Sequence, residues 1–186
     1  MKILSQFETR GNIELLSQNR IAVFASKETA QQLFTPSYEL FKKLIQNPVS
    51  IASGWHAPLE KDLLDLCTAR MPANIIYYSA KDIGQIKQSP LLTALEKEQK
   101  LLVVSAQSKQ ARASKTGVDK RDELLLSQIK KVLFFYIAPG GRLEEYFNML
   151  LKGDYEIFLF EHKLNKIFYN SGCTLINEDN LGLILT

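Results

Sequence analysis

The sequence predicts an α/β fold in which a mostly parallel sheet of about six to eight strands is flanked by helices. Three observations carry that prediction. Short apolar runs alternate along the chain with segments whose apolar residues recur at helical spacing. The runs are apolar from end to end rather than at every second residue, which is the pattern of strands buried on both faces. The length, 186 residues, suits a single core, because a chain of that size buries roughly 70% of its extended surface. Together these describe a three-layer, Rossmann-like domain.

Taken in order, residues 1–19 are read as an N-terminal helix or arm and residues 20–186 as the α/β domain. Arg20 to Ala25 is the first strand, and Leu33, Leu40, Phe41, Leu44 and Ile45 mark the helix after it. Val49 to Ala52 begins a second strand that ends at Ser53-Gly54, followed by a helix carrying Leu59, Leu63, Leu64, Leu66 and Cys67. Asn74 to Tyr78 is the third strand, followed by a short helix from Leu91 to Lys100, and Leu101 to Val104 is the fourth strand. A polar segment from Ser105 to Arg121 reads as an exposed loop, with Asp119 capping a helix from about Lys120 to Lys130. Val132 to Ala138 is the fifth strand and the most apolar, Pro139-Gly140-Gly141 breaks it, and Leu143 to Leu151 is helical. Glu156 to Phe160 is the sixth, and the tail adds short strands at Ile167 to Tyr169 and Leu181 to Leu185.

Composition excludes several classes. Hydrophobic residues make up 46% and charged residues 23%, which is neither a disordered nor a fibrous composition. Cys67 and Cys173 stand far apart, with no zinc, iron-sulfur or thioredoxin spacing. The sequence therefore points to no metal and no cofactor. No apolar run is long enough for a signal peptide or a membrane span, so a cytoplasmic protein is expected. The net charge is only +3, yet Lys109, Arg112, Lys115, Lys120 and Arg121 crowd the segment from Lys109 to Arg121 against the single acid Asp119.

In an open parallel sheet, ligands bind beyond the carboxyl ends of the strands, where loops meet helix N-termini. Three loops offer anion-binding groups there. Ser26 and Lys27 follow the first strand and supply a hydroxyl, amides and a cation; Ser53 and Gly54 follow the second, where a missing Cβ lets a phosphate approach the main chain. Gly140, Gly141 and Arg142 follow the fifth, pairing free amides with a guanidinium suited to phosphate. Each also has a plain reading, as a tight turn with a solvated cation beside it. The same holds for Lys109, Lys115, Lys120 and Arg121, whose segment either tracks a phosphate backbone or is a solvated loop. Trp55 and Tyr78 are either stacking platforms or core, and His56 and His162 sit in no nucleophile or metal motif.

From about Arg20 to Asn177, the ordered motifs resemble the Rossmann-like domain of the DNA-processing protein A (DprA) family. Ile21-Ala-Val-Phe-Ala-Ser-Lys27 is similar to its I-A-I-V-G-S-R, Ile51-Ala-Ser-Gly-Trp55 to its V-S-G-L, and Leu102-Val-Val-Ser105 to its strand ending in Ser-Glu. Lys120-Arg121-Asp122 stands where the family has Arg-Arg-Asn, and Ser171-Gly-Cys-Thr-Leu-Ile176 resembles its G-T-N-x-L-I. The chain departs at Pro58 for a glycine, Glu60 for an aspartate and Asp122 for an asparagine.

The resemblance implies single-stranded DNA binding in a basic pocket lined by Ser26, Lys27, Ser53, Gly54, Lys120 and Arg121. It also implies a homodimer and the loading of a RecA-type recombinase onto incoming DNA, as in natural transformation. A second likeness, to the lonely guy phosphoribohydrolases of the same SLOG superfamily, rests on Pro139-Gly-Gly141 with Glu144 or Glu145. It implies a nucleoside monophosphate as ligand, with Glu145 and Arg121 as catalytic residues. A nucleotide sensor with a degenerate site is the third expectation.

Overall fold

The structure, a computed structural model, describes residues 7–106 and 112–186. Its strands are β1 (Glu8–Gly11), β2 (Arg20–Ala25), β3 (Ser50–Ser53), β4 (Asn74–Ser79), β5 (Leu101–Ser105), β6 (Lys131–Tyr136), β7 (Glu156–Phe160) and β8 (Thr174–Ile176). Its helices are α1 (Phe34–Leu44), α2 (Pro58–Asp65), α3 (Pro90–Lys97), α4 (Lys115–Gln128), α5 (Arg142–Leu150) and α6 (Gly182–Leu185). The strands form one eight-stranded sheet in the order β1-β5-β4-β3-β2-β6-β7-β8. Only the β1–β5 pair is antiparallel; every other neighbouring pair is parallel.

The strands alternate in which face each side chain covers, and both faces are apolar. Ile21, Val23, Ile51 and Ile75 face one layer with Leu40 and Phe41 of α1, Leu59 and Leu63 of α2, and Leu92 and Leu95 of α3. Ala22, Phe24, Ala52 and Ile76 face the other with Leu124 and Leu125 of α4 and Leu143, Phe147 and Leu150 of α5. This is the three-layer arrangement that the unbroken apolar runs demand. At the centre of the second layer the Phe134 ring lies 5.7 Å from that of Phe24 and 5.5 Å from that of Phe147. No helix among the described residues is long and apolar enough to cross a membrane.

Two expectations about elements are corrected, the start of the helix after the basic segment and the tail. The helix after the basic segment begins at Lys115, and its cap is Ser114, which accepts from the Gly117 amide at 3.0 Å; Asp119 lies inside the helix, its carboxylate bound to Arg142. In the tail, Ile167 and Phe168 belong to a 3₁₀ segment (Lys163–Phe168), the last strand is Thr174–Ile176, and Leu181 to Leu185 covers a helical turn. The described part of residues 1–19 is the edge strand β1 and a 3₁₀ turn (Ile13–Ser17), the latter opened by the Asn12 side chain accepting from Glu14 N–H.

The strand order also locates the cleft. The chain builds outward from β2 through β3, β4 and β5, then returns to lay β6 on the other side of β2. Connections leave β2 in opposite directions, which opens a crevice above its carboxyl end. Helix α4, which carries the chain from β5 back to β6, brings its N-terminal turn to that crevice.

Candidate functional site

Two cavities of about 490 and 500 Å³ lie at the strand carboxyl ends and share His56, Ala113 and Arg121 as their common wall. The first lies toward β2 and β6 and is lined by Ser26, Lys27, Glu60, Lys115, Arg121 and Arg142, among others. The second lies toward β4, between Gly54, Tyr77, Lys81, Lys87 and Arg112. The N-terminal turn of α4 contributes Ser114, Lys115 and Val118 to the first, so the positive end of that helix faces the space where an anion would sit.

Arg121 is the pivot. It is 6% exposed, and its guanidinium lies directly on Gly54: a Cβ at that position would fall 2.3 Å from Cζ and 2.4 Å from Nη1. Gly54 is therefore needed for close approach, although what approaches is this chain's own cation. Two contacts hold Arg121 there, since Nε and Nη2 both meet Asp122 Oδ1 at 2.7 Å. Asp122 is completely buried, and its other oxygen accepts from Arg142 Nη2. Arg142 in turn reaches Asp119 at 2.9 Å and packs over the Tyr146 ring. One carboxylate thus clamps two guanidinium groups, which explains an aspartate where the resembling family carries a neutral amide: two fixed cations require it.

Glu60 organises the loops from the other side. Fully buried at the base of α2, it accepts from Ala25 N–H at 3.1 Å, His56 N–H at 2.8 Å and Ala57 N–H at 3.2 Å, tying the loop after β2 to the loop after β3. Burial pushes its carboxyl above the usual carboxylate range, against the pull of those amides and of Arg121. Sequence reasoning did not count it as part of the site. Its signal was its place three residues after Ala57 in the first turn of a helix, where a glutamate reaches back to main-chain amides. His56 is held below its ordinary range by desolvation against the cleft wall and then by Arg121, Lys27 and Lys61.

Of the residues singled out from sequence, the structure brings Ser26, Lys27, Lys115, Arg121 and Arg142 to the first cavity and Gly54 and Arg121 to the second. The Ser26 hydroxyl accepts from Ala138 N–H at 2.8 Å, linking the loops after β2 and β6. Others fall elsewhere. Ser53 is fully buried, and its hydroxyl accepts from the Trp55 amide, fixing a turn in which Trp55 has φ +49°. Lys120 is exposed and lines neither cavity. The Gly140 and Gly141 amides are not free for an anion: the first donates to the Glu144 carboxylate and the second to the Ala138 carbonyl, because Glu144 reaches back over the first turn of α5. Lys109 lies outside the described residues.

Glu145 is exposed and lines neither cavity, so it does not meet Arg121. Trp55 and Tyr78 are buried, with their polar atoms bonded to the Ile76 carbonyl and Gln128, and Tyr77 is the half-buried aromatic of the second cavity. No cluster of three potential metal ligands occurs among the described residues.

Comparison with solved structures agrees with this architecture. The chain superposes on DNA processing protein A from Streptococcus pneumoniae with a TM-score of 0.77, over 95% of its own length and 65% of that chain, at 13% identity. The DprA fold is the fold of this chain. It therefore spans just under two thirds of that protein. DprA from Helicobacter pylori, described with a single-stranded DNA binding mode, matches with a TM-score of 0.77 over 97% of this chain and 87% of that one, at 14% identity. A molybdenum cofactor carrier protein from Chlamydomonas reinhardtii is a more distant variant of the fold, at a TM-score of 0.54 and 12% identity. No protein-family model and no curated protein matches the sequence.

Proposed function

We propose that this chain binds single-stranded DNA by its phosphates, with the two cavities at the strand carboxyl ends as the binding cleft. The observation that carries the reading is Arg121, buried on Gly54 and locked by Asp122, standing in the wall between two cavities lined by further cations. A guanidinium fixed in this way offers its outer N–H groups to a phosphate without reorganising. The DprA fold supports the same assignment, as does the helix N-terminus of α4 at the cleft. A DprA-type role in recombination and natural transformation, with a homodimer handing the strand to a RecA-type recombinase, extends this reading. The alternative, cleavage of a nucleoside monophosphate, finds no support in Glu145, which is exposed away from both cavities.

The test is a salt titration of binding to a labelled oligothymidylate by fluorescence anisotropy. Wild-type affinity should fall with salt by about 0.7 in log–log slope for each phosphate engaged. Arg121→Ala should weaken binding about tenfold or more and reduce the slope, whereas Lys120→Ala, outside the cleft, should change affinity by less than about threefold. Equal affinity of wild type and Arg121→Ala would refute the assignment.

A further inference from the structure

The cavity on the β4 side differs from its neighbour in charge and in aromatic surface. Its described lining holds Lys61, Lys81, Lys87, Arg112 and Arg121 and no carboxylate, whereas the first cavity includes Glu28 and Glu60. Among the described residues, no ion pair engages Lys61, Lys81, Lys87 or Arg112. Arg142, in the first cavity, is by contrast bound to two aspartates. Four cations that no described carboxylate pairs with, set around one concave space, raise its potential and attract an anion from solution. Tyr77 stands in the same wall and remains partly open, whereas Trp55 and Tyr78 beside it are buried. A partly open aromatic among lysines is an arrangement that can hold a base by its face and its phosphates by charge.

We infer that this cavity is a second nucleotide subsite, in which Tyr77 stacks a base and Lys81, Lys87 and Arg112 hold phosphates, so that the cleft takes a strand running through both cavities rather than a free mononucleotide. The inference rests on the proposed binding of single-stranded DNA. Volume agrees, since each cavity, at about 490 and 500 Å³, falls in the range that encloses one small organic ligand. Connectivity agrees too: Arg121 and His56 line both spaces, so the phosphate joining two adjacent nucleotides would lie against that shared wall.

The experiment compares a short labelled oligothymidylate with thymidine 5′-monophosphate, on the wild type, on a Lys81→Ala/Lys87→Ala double variant and on Tyr77→Leu, with thermal unfolding as the control for folding. The double variant is read on the oligomer, since both lysines line the proposed cleft. It should lose about tenfold or more in oligomer affinity, and its salt slope should fall by about 1.4, for two phosphates at about 0.7 each. Tyr77→Leu should weaken the oligomer about five- to hundredfold, the range expected for loss of one stacked base. A double variant with wild-type oligomer affinity and slope overturns the second subsite and leaves the proposed function standing. So does a wild type that binds the oligomer no more tightly than the monophosphate. A wild type that binds neither probe overturns the proposed function itself.

Discussion

Replacing Gly54 with alanine should dislodge Arg121, and the size of the effect follows from the geometry. The added Cβ would lie 2.3 Å from Arg121 Cζ, 2.4 Å from Nη1 and 2.7 Å from Nε, against an ordinary carbon contact of about 3.5 Å. The guanidinium must retreat by about 1 Å, enough to break the two 2.7 Å contacts to Asp122. Each hydrogen bond to a charged group contributes about 1.5–3 kcal/mol. Arg121 can recover water by swinging into the cleft, and Asp122 keeps Arg142, so the net loss should be that of about one such bond, about 1.5–3 kcal/mol.

For a chain of this length that lowers Tm by about 3–12 °C in differential scanning calorimetry. Affinity for oligothymidylate should fall, though by no more than in Arg121→Ala, because the displaced guanidinium stays at the cleft. A double-mutant cycle separates the cause, because Gly54→Ala placed in an Arg121→Ala background no longer meets the guanidinium and should cost less than it does in the wild type. Gly140→Ala is the contrast: Gly140 has φ +73° and nothing within 4 Å, so its cost is backbone strain of about 1–2 kcal/mol, without loss of binding. A Gly54→Ala protein with wild-type Tm and wild-type affinity would refute the packing of Arg121 on that glycine.

Three further outcomes are expected. Phe134→Ala removes a fully buried ring from between Phe24 and Phe147 and should cost about 3–5 kcal/mol, seen as a Tm lower by about 6–20 °C. Glu60 has a folded-state pKa raised above its ordinary value, so its stabilising share is complete below the unfolded pKa and declines as pH rises through the folded one. Thermal melts from about pH 4 to about pH 7 should show wild type losing stability relative to Glu60→Gln, and a flat difference would contradict this. His56, depressed by desolvation and by Arg121, Lys27 and Lys61, should take up a proton when an anion occupies the cleft. Oligomer affinity should then rise as pH falls below the ordinary histidine range, and that gain should vanish in His56→Gln.

The strands were legible because a parallel sheet covered on both faces demands mostly apolar residues along each strand. Ile21 to Ala25 and Val132 to Phe135 are buried at every position, and their shortness and β-branched and aromatic content distinguish them from a buried helix. The tail was harder: at Ile167 to Tyr169 and Leu181 to Leu185 the apolar runs are too short for a period to decide between strand and helical turn. The start of α4 is not legible in the sequence because its first residues, Lys115, Thr116 and Gly117, carry no apolar side chain to announce a helix, and the cap lies in Ser114.

At the site, Lys27, Gly54 and Arg121 were legible through one rule, that loops after parallel strands share a rim. Which groups remain available for a ligand was not legible. Glycines Gly140 and Gly141 look open in sequence, yet Glu144 and Ala138 occupy their amides. Glu60 looked like a mere substitution, and its threefold grip on Ala25, His56 and Ala57 exists only once two loops meet.

The Asp122 clamp has a kinetic consequence. A free arginine side chain carries about 2 kcal/mol of rotamer entropy, which a ligand must ordinarily quench at the moment of capture. Arg121, pinned between a glycine and a buried carboxylate, gave up that freedom when the chain folded. On the proposed function an arriving strand would meet a rigid template and a shorter search for the productive pose, so weakening the clamp should slow capture as well as hasten release.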